Sequence, residues 1–118
     1  MNRRISWTIL LIWTAVVFVL TGYPTLEAPK IKELPIDKVY HFTIFFVLGL
    51  LAVRIFKLRG YLIFCGIAVI LAEIQQIWIP GRDFELLDIV AGIIGFVVAD
   101  IIFLITQRRR ARHELSKA

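Results

Sequence analysis

Four apolar runs of about twenty residues each constrain this chain more than any other feature in it. They cover about residues 5–23, 39–56, 61–79 and 86–106. A helix rises about 1.5 Å per residue, so a run of this length matches a hydrocarbon layer about 30 Å thick. Lipid gives a strand edge no hydrogen-bond partner, so all four runs are expected to be helices. The expected fold is all-α, a polytopic membrane protein whose residues 1–118 form one four-transmembrane-helix bundle with a basic, solvated tail at 107–118.

Composition excludes an ordinary soluble domain: 59% of residues are hydrophobic, 19% are charged, and the mean hydropathy is +0.82. The net charge of +5 does not point to nucleic acid, because the basic residues gather at the ends of the apolar runs and form no recognition motif. Cys65 stands alone inside an apolar run, which excludes an intrachain disulfide and a cysteine metal motif and leaves packing. The first run follows Arg3-Arg4, as a secretory leader would. Thr21-Gly22-Tyr23-Pro24 offers no small-x-small cleavage site, however, and the run is read as a retained helix, mainly an anchor and lipid-facing wall.

Basic residues beside the runs set the expected orientation. Arg3, Arg4, Arg54, Lys57, Arg59, Arg108, Arg109, Arg110, Arg112 and Lys117 fall on one side, against Lys30, Lys32, Lys38 and Arg82 on the other. The richer side is cytoplasmic by the positive-inside rule, so both termini are expected there. Residues 22–38, with Pro24, Pro29 and Pro35, then form an external loop, and Lys57–Gly60 a tight cytoplasmic turn. The tail is expected to act as a plain stop-transfer anchor, in preference to a segment that binds anionic lipid. Asp100 and Arg54 lie at similar expected depth and suggest a cytoplasmic-side ion pair. Trp7, Trp78, Tyr23, Tyr40 and Tyr61 fall near run ends, where amphipathic rings sit at headgroup level, while the deeper Trp13 reads as packing.

The polar residues that intrude on this plan carry the functional signal. A charged side chain at the bilayer centre costs about 3 kcal/mol on insertion scales, so such residues usually face a bundle interior. Asp37 and His41 are four apart and share a helix face at the external end of the second run. Glu73 and Gln76 share a face in the third, about 9 Å and about 4.5 Å below the expected end at Ile79. The turn Pro80-Gly81-Arg82-Asp83-Phe84-Glu85 then brings in Arg82, and Asp88 opens the fourth run. Six side chains from three helices and a turn are thus expected at one membrane level. Gly49, Gly66, Gly92 and Gly95, with Ala99, continue the same faces inward and predict close contact among helices two, three and four.

The ordered set Asp37-Lys38-Val39-Tyr40-His41-Phe42, Glu73-Ile74-Gln75-Gln76, Pro80-Gly81-Arg82, Asp88 and Gly95 resembles the VanZ-like family of bacterial membrane proteins, over about half of the chain. The family commonly carries Asn one turn after the last aspartate, where this chain has Gly92; either that contribution is absent here or another group such as Gln75 supplies it. The resemblance implies a bacterial cytoplasmic membrane and a context of teicoplanin resistance, without defining a reaction.

The residues favour a site at the external membrane edge built from Asp37, Lys38, His41, Glu73, Gln76, Arg82 and Asp88. Arg82 offers a planar fork to a phosphate or carboxylate and Lys38 a second positive charge. An anionic lipid, a lipid-linked wall precursor or a lipoglycopeptide would meet such a site at its own depth. Two other readings stand beside this one. The same groups can pair among themselves and only lock the bundle, or His41 and Glu73 can act as acid and base in an intramembrane enzyme working on a lipid headgroup. A proton or ion path through Glu73 lacks a second acid in line with it at mid-depth. A zinc site from Asp37, His41, Glu73 and Asp88 is disfavoured by the single histidine, so neither metal nor cofactor is expected, and no nucleophile elbow or phosphate loop exists.

Overall fold

A computed structural model describes residues 2–22, 36–79 and 85–117, apart from the side chains of 36 and 37. The order is α1 (Arg3–Gly22), α2 (Ile36–Ala52), α3 (Leu58–Gln75), a 3-10 turn (Gln76–Trp78) and α4 (Leu86–Lys117), with no strand among the described residues. Three of these, α1, α3 with its 3-10 turn, and α4, are long and apolar enough to cross a membrane, and α2 is a shorter apolar helix.

Side-chain pairings show that the helices alternate in direction. Trp13 of α1 meets Ile44 of α2, and Trp7 meets Phe56 just beyond it, so α1 and α2 are antiparallel. His41 faces Glu73 while Gly49 approaches Tyr61, so α2 and α3 are antiparallel as well. Lys38 pairs with Asp88 and Gly49 abuts Ala99, so α2 and α4 run parallel. The start of α1, the α2–α3 turn and the exposed end of α4 therefore share one end of the bundle; His41, Glu73 and Asp88 occupy the other.

The contact between α2 and α4 is the most extensive in the bundle. Lipid tails are as apolar as the side chains, so packing and interhelical hydrogen bonds, rather than the hydrophobic effect, must hold helices together in a membrane. Gly95 makes the approach possible: a Cβ there would lie 2.5 Å from the Phe42 carbonyl oxygen and 3.0 Å from the Phe46 nitrogen. A Cβ at Gly49 would come within 2.8 Å of the Ala99 Cβ. Gly66 departs from the expected small-residue contact, since a Cβ at that position would meet nothing within 4 Å. The junction is made instead by Cys65, Ala68, Val69 and Ala72, which α3 turns into the core.

The tight turn expected at Lys57–Gly60 lies earlier in the chain. Helix α2 stops at Ala52 rather than Phe56, residues 53–57 make the reversal, and Leu58–Gly60 already belong to α3. The apolar residues of this reversal fold against neighbours rather than continuing the helix: Phe56 stacks on Phe64 and meets Trp7 edge-on. Arg54 consequently sits in an exposed turn and makes no ion pair with Asp100 among the described residues. Tyr61 departs from its expected headgroup position too. It is 1% exposed and its hydroxyl donates to the Phe96 carbonyl, because the early reversal carries it inside the bundle. Trp13 packs, as its depth suggested, and donates to the Ile44 carbonyl at 3.0 Å.

Helix α4 does not stop at Thr106. Its 32 residues rise about 48 Å, more than a hydrocarbon core requires, and its basic end from Arg108 is exposed as a continuation of the same helix.

Candidate functional site

Three helices deliver one polar side chain each to the end of the bundle opposite the chain termini. His41 lies in the second turn of α2, Glu73 near the end of α3 and Asp88 in the first turn of α4. They are 3%, 2% and 5% exposed, in a molecule whose other buried residues are almost all apolar. His41 Nε2 lies 3.8 Å from Glu73 Oε2 and 3.8 Å from Asp88 Oδ2.

The remaining oxygens of the two acids have other partners. Glu73 Oε1 accepts the backbone N–H of Glu85 at 2.8 Å, which ties α3 to the residue that precedes α4. A carboxylate at a helix N-terminus also complements the positive end of the helix dipole. Asp88 Oδ1 lies 2.7 Å from Lys38 Nζ, and Lys38 makes a second ion pair with the more exposed Glu85. Lys38 thus bridges the rim of the cluster, with its side chain 21% exposed. Tyr40 closes one flank, its ring meeting that of His41 edge-on with centroids 5.8 Å apart.

Gln76 is buried at the same end but reaches toward α1. Its Nε2 donates to the Thr21 carbonyl at 2.9 Å. Gln75 acts alongside it, donating to the Phe18 carbonyl at 2.9 Å and to Thr21 Oγ1 at 2.8 Å. Both amides therefore fasten α3 to α1, and Gln75 does not fill the place of the Asn expected near Gly92. A side chain at Gly92 has little room there: its Cβ would lie 2.9 Å from the Phe45 ring and 3.1 Å from a Val69 methyl.

No family model, curated protein or solved structure matches the chain. Of the residues singled out from sequence, Lys38, His41, Glu73 and Asp88 are brought together, and Gln76 lies beside them with its amide turned to α1. Arg82 and the side chain of Asp37 lie outside the described residues. Two contributors escaped sequence reasoning. Glu85 lies three residues before Asp88, a spacing that puts it on the same side of an incipient helix. Thr21 carried no signal, because its role depends on the register between α1 and α3.

The described cluster gathers two buried carboxylates around one imidazole, with a lysine at its rim. Among the described residues, the buried Glu73 and Asp88 and the half-exposed Glu85 meet Lys38 and His41 here. Burial makes each uncompensated charge costly, so a set of this kind is retained only where partners or a ligand offset it.

Proposed function

We propose that the protein is a VanZ-like integral membrane protein of the bacterial cytoplasmic membrane. It crosses the bilayer four times, with both termini cytoplasmic, and binds the headgroup of an amphiphile at the external membrane edge. The carrying observation is the buried set His41, Glu73 and Asp88, assembled from three helices at one end of an apolar bundle, with Lys38 at its rim. The alternating helix directions support an even number of crossings. Arg3, Arg4, Arg54, Lys57, Arg59 and the arginines of the α4 tail gather at the opposite end, as the positive-inside rule asks of a cytoplasmic face. The headgroup is that of an anionic lipid, a lipid-linked wall precursor or a lipoglycopeptide, classes that share an acyl or prenyl tail in the membrane and a polar head at this depth.

Native mass spectrometry of protein extracted in mild detergent tests the reading. A retained lipid is expected, lost in Lys38→Met and Glu73→Gln while the folded species persists. Glu73→Gln keeps an oxygen to accept the Glu85 N–H, so the α3–α4 tie survives in that variant. Retention that is absent from the wild type, or unchanged in both variants, would overturn the reading.

A second reading has its own observation. The Lys38–Asp88 pair and the Glu73–Glu85 hydrogen bond each join two parts of the bundle, as a purely structural lock would. Loss of the folded species in both variants favours that lock.

A further inference from the structure

We propose that His41, Glu73 and Asp88 form a binding site for a divalent first-row metal ion, with His41 Nε2, Glu73 Oε2 and Asp88 Oδ2 as its ligands. One ligand atom from each of these residues can be chosen such that all lie within 4.8 Å of one another. Around a metal about 2.0–2.2 Å from nitrogen and oxygen ligands, such atoms stand about 3–4 Å apart, so closure requires side-chain movements of about 1 Å or less. The two spacings of 3.8 Å from the imidazole nitrogen are already of that order.

Three features favour an ion over a self-contained ion-pair lock. First, each carboxylate is held by its outer oxygen, Glu73 Oε1 by the Glu85 N–H and Asp88 Oδ1 by Lys38, which turns the inner oxygens toward the imidazole. Outer-shell contacts of this kind orient ligating carboxylates in metal sites. Second, the two buried carboxylates each present an oxygen to the same imidazole nitrogen, and a cation between them offsets a like-charge contact that burial makes costly. Third, the ligands come from three helices and are nearly excluded from solvent, so the donors converge only in the folded bundle.

The donor set indicates the ion. One imidazole and two carboxylates suit Zn2+, Mn2+ or Fe2+ and disfavour soft copper(I), which prefers sulfur. Three protein ligands are also the count of open sites, in which a further position remains for water or substrate. A phosphate or carboxylate oxygen of a headgroup can take that position, which explains how an acidic cluster receives an anionic ligand. That last role rests on the headgroup reading above; the metal site does not. The expectation of no metal rested on the single histidine among these residues, and a count of ligand types does not register how closely donors from separate helices converge.

The test uses the full chain in detergent, stripped by a chelator and dialysed against Zn2+ or Co2+. Elemental analysis should show about one ion bound per chain, and Co2+ should give d–d absorption bands that Zn2+ displaces. His41→Gln and Asp88→Asn should each weaken binding by at least about tenfold, while Gln76→Ala, whose amide faces α1, should not. Absence of saturable binding and of Co2+ bands in the wild type overturns the site whatever the variants do. So does binding that His41→Gln leaves intact. Lipid retention is read on the same samples: retained lipid without bound metal sinks the metal site and spares the headgroup reading, whereas bound metal without lipid does the reverse.

Discussion

Two polar groups lie buried at the same end of this bundle, and they are built on opposite plans. Between α1 and α3, Gln75 and Gln76 donate to the Phe18 and Thr21 carbonyls and the Thr21 hydroxyl at 2.8–2.9 Å. These groups are neutral, and their bonds are of ordinary length. Among α2, α3 and α4, an imidazole and two carboxylates face one another across 3.8 Å, and their close contacts lie on the outer side of the set. The amide group satisfies itself and needs no ligand. The charged group keeps its inner atoms turned toward a common centre, an arrangement that a cation completes. Burial alone would have classed the two together; what separates them is that the amides bond across to α1, whereas the two carboxylates turn an oxygen each toward one imidazole.

The largest expected effect comes from taking one group apart while leaving the other. Gly95→Val places a side chain against the Phe42 carbonyl and forces α4 away from α2, which carry Asp88 and His41. A loss of about 3 kcal/mol, or of the folded species, is expected from overpacking. Tryptophan-monitored denaturant unfolding in detergent measures it, and a variant of wild-type stability would mean that the α2–α4 approach is looser than described.

Gln76→Ala comes next. It strips a buried carbonyl, that of Thr21, of its donor and should cost about 2 kcal/mol by the same measurement. The charged group should be untouched, so lipid retained by the folded fraction should match the wild type. Reduced retention in a folded Gln76→Ala protein would join the two groups into one site.

Glu73→Gln should show the smallest stability change, within about 0.5 kcal/mol in metal-stripped protein, because the amide oxygen still accepts the Glu85 N–H and a like-charge contact with Asp88 disappears. A cost as large as that of Gln76→Ala would place the carboxylates in the same structural role as the amides and break the contrast.

Much of this architecture was legible beforehand, for a physical reason. Helical runs in lipid must satisfy their backbone internally, so length and hydropathy locate them with little help from tertiary contacts. Charged residues inside such runs stand out because they are costly there, which is how His41, Glu73 and Asp88 were singled out. The element ends were less legible. The reversal at 53–57 and the continuation of α4 to Lys117 depend on where Phe56 finds its aromatic neighbours and on a basic segment keeping its helix outside the apolar run.

The amino-acid sequence by itself determined an all-helical chain with apolar helices of membrane length and a handful of ionisable groups near one end, since both follow from transfer free energies of single residues. Only the tertiary structure decided which atoms meet. Register between helices placed Thr21 under Gln75 and Gln76, left Gly66 facing open space and turned one oxygen each of Glu73 and Asp88 toward His41. Such pairings depend on shifts of a few ångströms between helices far apart in the chain, and no residue-by-residue property encodes them.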